Sequence, residues 1–586
     1  MLFIDCEIYK DYFLLAAKHA ASGKIKNFEF YDGHPPDLPG ITKLMRNNLT
    51  VGFNSNNFDL ILIAALLDGA SVARLKELCD TIIKGNQPGW LVAKNAGVSL
   101  KRGWDHIDLF EVAPGRVSLK IYGARLGCAT LQDLPIDPGA SISPAQRRLL
   151  VDYCANDLAL TELLYDQLRP QIALREKMGD QHGMDLRSKS DAQIAETIIT
   201  SELERLTENP VAKPDTSRTE FHYQNPGIVT FETPALQELL QRILATTFTL
   251  GGNGAVVLPK WLRDSKIRVG DRDYQMGIGG LHSCEKTQYL TADADHVLCD
   301  LDVASYYPNI ILQQALAPES LGKPFLDVYQ NIVNRRMAAK RAGDEVTAYT
   351  LKIAVNGSFG KLGSVYSKLY APELLIQTTI TGQMCLLMLI ERMSAAGIDI
   401  RSANTDGIVC YYDPSLAGKI DEVSFDWMMD TSYALERTDY VALASRDVNN
   451  YVAVKPDNST KGKGLFADTG IAKNPDMSII ATAVAKRIAH GTDIGDTIRG
   501  CLDPLQFVSV RKVTGGAMWR NEPLGKAVRF YWSREGDAIQ YATNGNLVPK
   551  SSGARALMVL SDFDRADVDE WRYIAEANKL LKDVGA

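Results

Sequence analysis

The sequence predicts a multidomain chain of mixed α/β and α+β class, and three observations predict it. Its 586 residues exceed what one hydrophobic core organises, since single cores stop growing near roughly 250–300 residues. Strand-like segments are interspersed with segments of helical periodicity along the chain. A composition of 46% hydrophobic and 23% charged residues, with no repeat or low-complexity tract, gives no sign of a disordered, collagen-like or membrane class.

The first residues, Leu2-Phe3-Ile4 and then Asp5-Cys6-Glu7, read as a strand. A polar turn at Ser22-Gly23 and a strand-like segment from Ile25 to Phe30 suggest a hairpin. Residues 58–68 read as an apolar helix. Ser143-Pro144 is a helix start, with a capping hydroxyl before a first-turn proline, and that helix is expected to run to about Leu168, where Pro170 interrupts it. Residues 1–170 form the expected first domain. The next stretch, 171–235, is helical at first, then irregular around Asn209-Pro210, Lys213-Pro214 and Asn225-Pro226, and reads as a connector. Further on come a glycine-rich loop at 276–280, a strand from Val297 to Val303, helices over 325–342 and 345–359, and a hairpin around Thr405 to Tyr412. The tail beyond about 450 has the weakest pattern.

The net charge of −7 argues against a surface coated in basic residues. It leaves room for a local basic channel. Nine scattered cysteines without a CxxC pair point to reduced, structural thiols and away from a zinc site. Asp5 and Glu7 stand where a secretory signal needs basic residues, the apolar run at 13–17 is short, and no other stretch reads as long enough to span a membrane. A cytoplasmic protein without a membrane partner is expected.

Two constellations carry chemistry. On a strand, residues i and i+2 share a face, so Asp5 and Glu7 project together. Converging carboxylates repel unless cations lie between them, although a lone DxE is usually a solvated pair. Gly52-Phe53-Asn54 precedes Phe58-Asp59 at the start of an apolar helix, and Tyr153 and Asp157 are helical neighbours. Taken alone, that last pair reads equally as a surface tyrosine beside a solvated acid. The second constellation begins at residues 300–310, Asp-Leu-Asp-Val-Ala-Ser-Tyr-Tyr-Pro-Asn-Ile. Acids interrupting an apolar strand are costly to bury without cations. Asn404-Thr405-Asp406-Gly407 forms a polar tip between two strands. Lys352, Asn356 and Gly360 fall on one helical stripe, and Arg336 and Lys340 on another. Such cations face an anion such as a triphosphate, although either helix alone reads as a solvated face.

The carboxylates Asp5, Glu7, Asp59 and Asp157, in that order, resemble the DEDD exonucleases of the proofreading type, and Tyr153 has the spacing of their tyrosine subgroup. The later segments, Asp302 to Pro308, Lys352 to Gly360 and Asn404 to Gly407, resemble the D-x-x-S-L-Y-P, K-x-x-x-N-S-x-Y-G and D-T-D-S motifs of family B DNA polymerases. The resemblance spans roughly the whole chain. It implies an RNase H-like 3′→5′ exonuclease domain followed by a right-hand polymerase. The implied divisions are exonuclease 1–170, connector and N-terminal polymerase part 171–290, palm 291–325 and 366–450, fingers 326–365 and thumb 451–586.

The resemblance also implies roles and partners. Asp302, Asp406 and the backbone of Val303 would hold palm metals, and the four upstream acids would hold the exonuclease metals, with Tyr153 orienting the attacking water. The ions would be Mg²⁺, two per active site, with Mn²⁺ an acceptable substitute. Arg336, Lys340 and Lys352 would bind phosphates, with Lys352 the proton donor to pyrophosphate, alongside Ser305 and Tyr306. Tyr307 would exclude a 2′-hydroxyl and Asn356 would line the nascent base pair. Partners would be a primed DNA template, deoxynucleoside triphosphates, a single-stranded 3′ end and replication accessory proteins around a monomer.

This chain departs from those motifs. Asn404 replaces the third motif's first aspartate and Gly407 its serine, while Gly357 and Phe359 replace the second motif's serine and tyrosine. The primer-holding K-x-Y corresponds to Asn449-Asn450-Tyr451 without its lysine, for which Lys455, Lys461 and Lys463 could compensate on the DNA backbone. Gly279 and Gly280 resemble the Y-x-G-G segment that approaches template phosphates, a tight turn being the plain alternative. Short intervals between the motifs leave no room for protein-priming insertions, as in a compact phage or virus-like replicase acting in a host bacterial cytoplasm. Two other readings are a non-catalytic DNA-binding scaffold, opposed by Asp302, Asp406 and Lys352, and a nuclease with a decayed polymerase half, encouraged only by Asn404.

Overall fold

The structure, a computed structural model, describes residues 1–100 and 102–586. The chain divides into two compact units: residues 1–190, 469–479 and 500–573 form the first, and 191–468, 480–499 and 574–586 the second.

The first unit is built on a five-stranded sheet. Its order is Ile25–Tyr31, Tyr12–His19, Leu2–Ile8, Thr50–Gly52, His106–Asp108. The first three strands pair antiparallel and the last two run parallel to Leu2–Ile8. The apolar run at 13–17 is therefore the buried centre of a strand. Helices cover both faces, which explains why that strand is apolar on both sides. The helix after Ser143 spans Pro144–His182, with a complete capping box formed by Ser143 and Gln146. Pro170 lies inside it and does not end it. Leu164, Leu168 and Ile172 are buried on either side of the proline, and this packing offsets the lost backbone bond.

The stretch expected as a thumb, 451–586, is not one body. Most of it, 500–573, belongs to the first unit as a four-stranded sheet that includes the long strands Ser509–Trp519 and Glu522–Asp537. Val510 joins Ile121, Ala124, Cys128 and Leu160 in one core cluster. Arg529, fully buried, donates to the carbonyls of Cys128 and Leu557. Residues 450–454 and 460–463 instead extend a four-stranded sheet of the second unit.

The second unit centres on a seven-stranded antiparallel sheet. Val297–Val303 lies between Leu435–Tyr440 and Gly407–Tyr412, and Gly407–Tyr412 pairs onward with Asp399–Asn404. Helix Pro372–Ala395 underlies it and is long and apolar enough to cross a membrane by length and composition, contrary to the sequence reading. Here it is core: most of its residues are buried, Leu386 to Ile390 completely. The helices Gly322–Ala342 and Glu345–Leu362 meet at Gly343-Asp344 as expected. A third helix, Asp191–Thr207, falls in the segment read as connector and packs on Glu345–Leu362. Glu196 ties it down, pairing with Lys361 Nζ at 2.8 Å and accepting from the Lys368 amide at 2.7 Å.

Candidate active sites

In the first unit the central strand presents Asp5 and Glu7 on one face, and the long helix presents Cys154 to them. One ligand atom of each lies within 4.8 Å of the others. Asp59 sits at the N-terminus of helix Asp59–Leu67 and is locked by the Cys6 amide, 2.8 Å from its Oδ1. Asp157, one helical turn after Tyr153, is held by Lys120 Nζ at 2.7 and 3.1 Å. The same ammonium stands 4.3 Å from the Tyr153 ring centroid.

Sequence reasoning missed Lys120 because nothing in its neighbourhood distinguishes it from a surface lysine; its partner is 37 residues away. It also missed Asp108, whose carboxylate accepts from the amides of Asn54, Asn56 and Phe110 at 2.8 to 3.0 Å. Those bonds fix the loop that delivers Asp59, with Asn54 in a left-handed conformation.

The electrostatics match a cation site. Burial, then the charge of Asp157, pushes Glu7 up to about 8. Burial pushes Asp59 up to about 7. Burial and the neighbouring acids raise Asp5 well above the usual carboxylate range. Four acids without enough basic partners fit hard divalent cations through their oxygens. Cys154 stands beside these acids: burial, then Asp5, raises its thiol, and its Sγ donates to Asp5 Oδ2 at 3.5 Å. Burial, then Asp157, likewise raises Tyr153, which therefore stays a neutral phenol.

In the second unit Asp302 lies opposite Gly407 across paired strands, beside Asp406. The Val303 amide donates to the Asp406 carbonyl at 2.7 Å, tying the end of the Asp302 strand to the hairpin turn that carries Asp406. Ser305 and Thr405, which flank them, both have positive φ, 47° and 63°. Such strain costs on the order of 1–3 kcal/mol per residue and persists where surroundings over-determine it. Burial, then Asp300, pushes Asp302 up to about 6, and burial raises Asp406. These oxygens also suit hard divalent cations.

The departures from the expected motifs acquire local reasons. A Cβ at Gly407 would overlap Asp302 Oδ1. Asn404 donates from Nδ2 to the Val448 carbonyl at 2.9 Å, which an aspartate could not do. A Cβ at Gly357 would come within 2.9 Å of Ala195 Cβ on the supporting helix. Phe359 stacks on Tyr307, with centroids 4.5 Å apart at 16°.

A cavity of about 360 Å³ brings together Ser305, Tyr307, Arg336, Lys352, Asn356 and Asp406. Tyr306 also borders it, but its buried hydroxyl donates to the Gly382 carbonyl at 2.5 Å. Lys340 is exposed and does not line it. The Tyr307 hydroxyl donates to the Gly279 carbonyl at 2.6 Å. Gly280 presses on the acid-bearing turn, where a Cβ would lie 2.8 Å from Thr405 Cγ2. Gly280 is thus used for close approach within the site, whereas a Cβ at Gly279 would meet open space. A second cavity, of about 500 Å³, contains Asp300, Asp302, Asp406, Tyr451, Lys461 and Lys463. Lys455 sits at the far turn of that hairpin, bonded to the Ser459 carbonyl, and lines neither cavity.

No protein-family model matches the chain, and no curated protein sequence matches it. Among solved structures it is similar to the family B DNA polymerase from the hyperthermophilic archaeon Pyrobaculum calidifontis, with 14% identity, a TM-score of 0.40 and coverage of 100% of this chain and 77% of that one. A likeness this shallow carries no argument about function.

Proposed function

We propose that the chain is a template-dependent DNA polymerase of the family B type, carrying an RNase H-like 3′→5′ proofreading exonuclease in its first unit. The observation that carries this reading is the cavity where Asp406 meets Arg336, Lys352, Asn356 and Tyr307. An acid from the sheet and cations from two helices face one volume there, as transfer of a nucleotide from a triphosphate requires.

Bound divalent ions, Mg²⁺ or Mn²⁺, would supply charge neutralisation and activation of the attacking oxygen at both sites. Asp302 and Asp406 would hold them in the palm, with the Val303 carbonyl, and Asp5, Glu7, Asp59 and Asp157 in the exonuclease. The chain's own groups do the rest. Lys352 and Arg336 clamp the phosphates, with Lys352 positioned to protonate the leaving pyrophosphate. Tyr307, pinned between Phe359 and the Gly279 carbonyl, forms a rigid floor under the sugar. Tyr153, kept protonated, donates a hydrogen bond that orients the attacking water. Lys120 neutralises Asp157 and would yield that carboxylate to an arriving cation.

Asn404 has a structural task, so it no longer favours a decayed polymerase half. The absence of room for priming insertions supports a compact phage or virus-like replicase extending ordinary primers. The test is extension of a primed template by the purified chain with Mg²⁺ and all four deoxynucleotides. Template-directed products are expected; a folded chain that extends nothing while binding DNA would identify a scaffold instead.

A further inference from the structure

Asp300 opens the acid-bearing strand of the second constellation, where the resembled motif gives it no role. It lies two positions before Asp302 on the same strand face and is 6% exposed. Lys461, from strand Thr460–Lys463, places Nζ 3.0 Å from Asp300 Oδ2 and 3.5 Å from Asp302 Oδ2. The Tyr440 hydroxyl donates to the same Asp300 oxygen at 2.8 Å. Asp302 thus turns Oδ2 toward the ammonium and Oδ1 toward Gly407. The sequence reading set Lys461 on the DNA backbone. An ammonium already held between two carboxylates has little left to offer a phosphate.

We propose that Lys461 is a resident cation of this site, latched by Asp300 and Tyr440 against Asp302, and that the latch sets how tightly Asp302 and Asp406 take divalent cations. The inference rests on the proposed polymerase reading of these carboxylates. Its physics is Coulombic. The ammonium cancels part of the field that draws a cation in. Asp300 adds negative charge and keeps Lys461 from sliding wholly onto Asp302. Asp300 and Lys461 are positioning residues, and removing one or the other must act in opposite directions.

The test is calorimetric titration of Mn²⁺ into the full chain in an Asp5→Ala, Glu7→Ala background, which leaves the second-unit site to report. Asp300→Asn is expected to raise the half-saturating concentration on the order of tenfold, and Lys461→Met to lower it by a similar factor. The double variant returns close to the parent, and Lys461→Arg, which keeps the charge, stays within about twofold. The salt dependence of DNA binding supplies an independent readout. A lysine on the backbone would reduce the slope by about one when removed, whereas the latch leaves the slope unchanged. Shifts of the same sign in both single variants, or a reduced salt slope for Lys461→Met, overturn the latch. If no Mn²⁺ signal is abolished by Asp302→Asn, the polymerase reading of the site fails, and the latch with it.

Discussion

Gly407 shows how little freedom the second site has at the scale of single residues. Its hydrogen side chain leaves the space that Asp302 Oδ1 occupies. Gly407→Ala must push that carboxylate aside, and misplacement of about 1 Å costs on the order of 10²-fold in rate. Extension is expected to fall by about that factor while degradation of single-stranded primer is unchanged; near-normal extension would show that Asp302 is not held by this contact. Tyr307→Ala removes the proposed sugar floor, and ribonucleotide incorporation measured on defined templates is expected to rise at least about tenfold. Unchanged sugar selectivity would remove Tyr307 from that role. The acids of the first unit give a pH dependence whose sign follows from their shifts. Glu7 and Asp59 are raised to about 8 and about 7, so the folded state binds more protons than the unfolded chain above the ordinary carboxylate range. Metal-free stability therefore falls as pH rises through that window. Mg²⁺ replaces those protons, so its stabilising effect on melting is expected to be larger near pH 9 than near about pH 6. An equal effect at both would mean that the acids do not share a cation.

At the scale of elements, the helix Asp191–Thr207 lies where the sequence reads as helical, and what the sequence hides is its packing role. Its segment reads as connector because it precedes three proline-containing breaks, and its purpose is visible only in its partner, Glu345–Leu362. The partner's Gly357 makes room for Ala195 and for the Asp191 carbonyl, 2.9 and 3.0 Å from a Cβ built there. Gly357→Ser restores the residue usual in the resembled motif and is expected to cost roughly 1–3 kcal/mol in chemical denaturation. A neutral result would mean that the helix pair yields freely. Elements with strong local signals were legible: the strand Val297–Val303, the two helices flanking Gly343, and the hairpin carrying Asp406 all form close to where the pattern puts them. The end of the long helix was not, because buried residues on either side of Pro170 outweigh a local breaker. Among the candidate residues, those set in a motif's spacing were legible, on a strand or helix or, like Asp406, in a turn. Lys120, Asp108 and Asp300 were not, since their partners are distant in sequence and only folding brings them into contact.

At the scale of the whole molecule, each compact unit carries its own cluster of raised carboxylates. The tail defeated the sequence reading here, because 500–573 folds with the N-terminal sheet rather than as a separate C-terminal body. On the proposed reading, two chemistries in one chain serve editing if mismatched ends reach the first-unit site more readily than matched ones. Melting about three pairs costs on the order of 4 kcal/mol at about 1.4 kcal/mol per step, and a mismatch has already lost part of it. The most direct measurement is primer extension and primer degradation, assayed side by side for Asp302→Asn and for Asp5→Ala with Glu7→Ala. Asp302→Asn is expected to abolish extension and retain degradation, and the double variant to do the reverse. Loss of both activities in either protein, with folding intact, would contradict two independent cation sites.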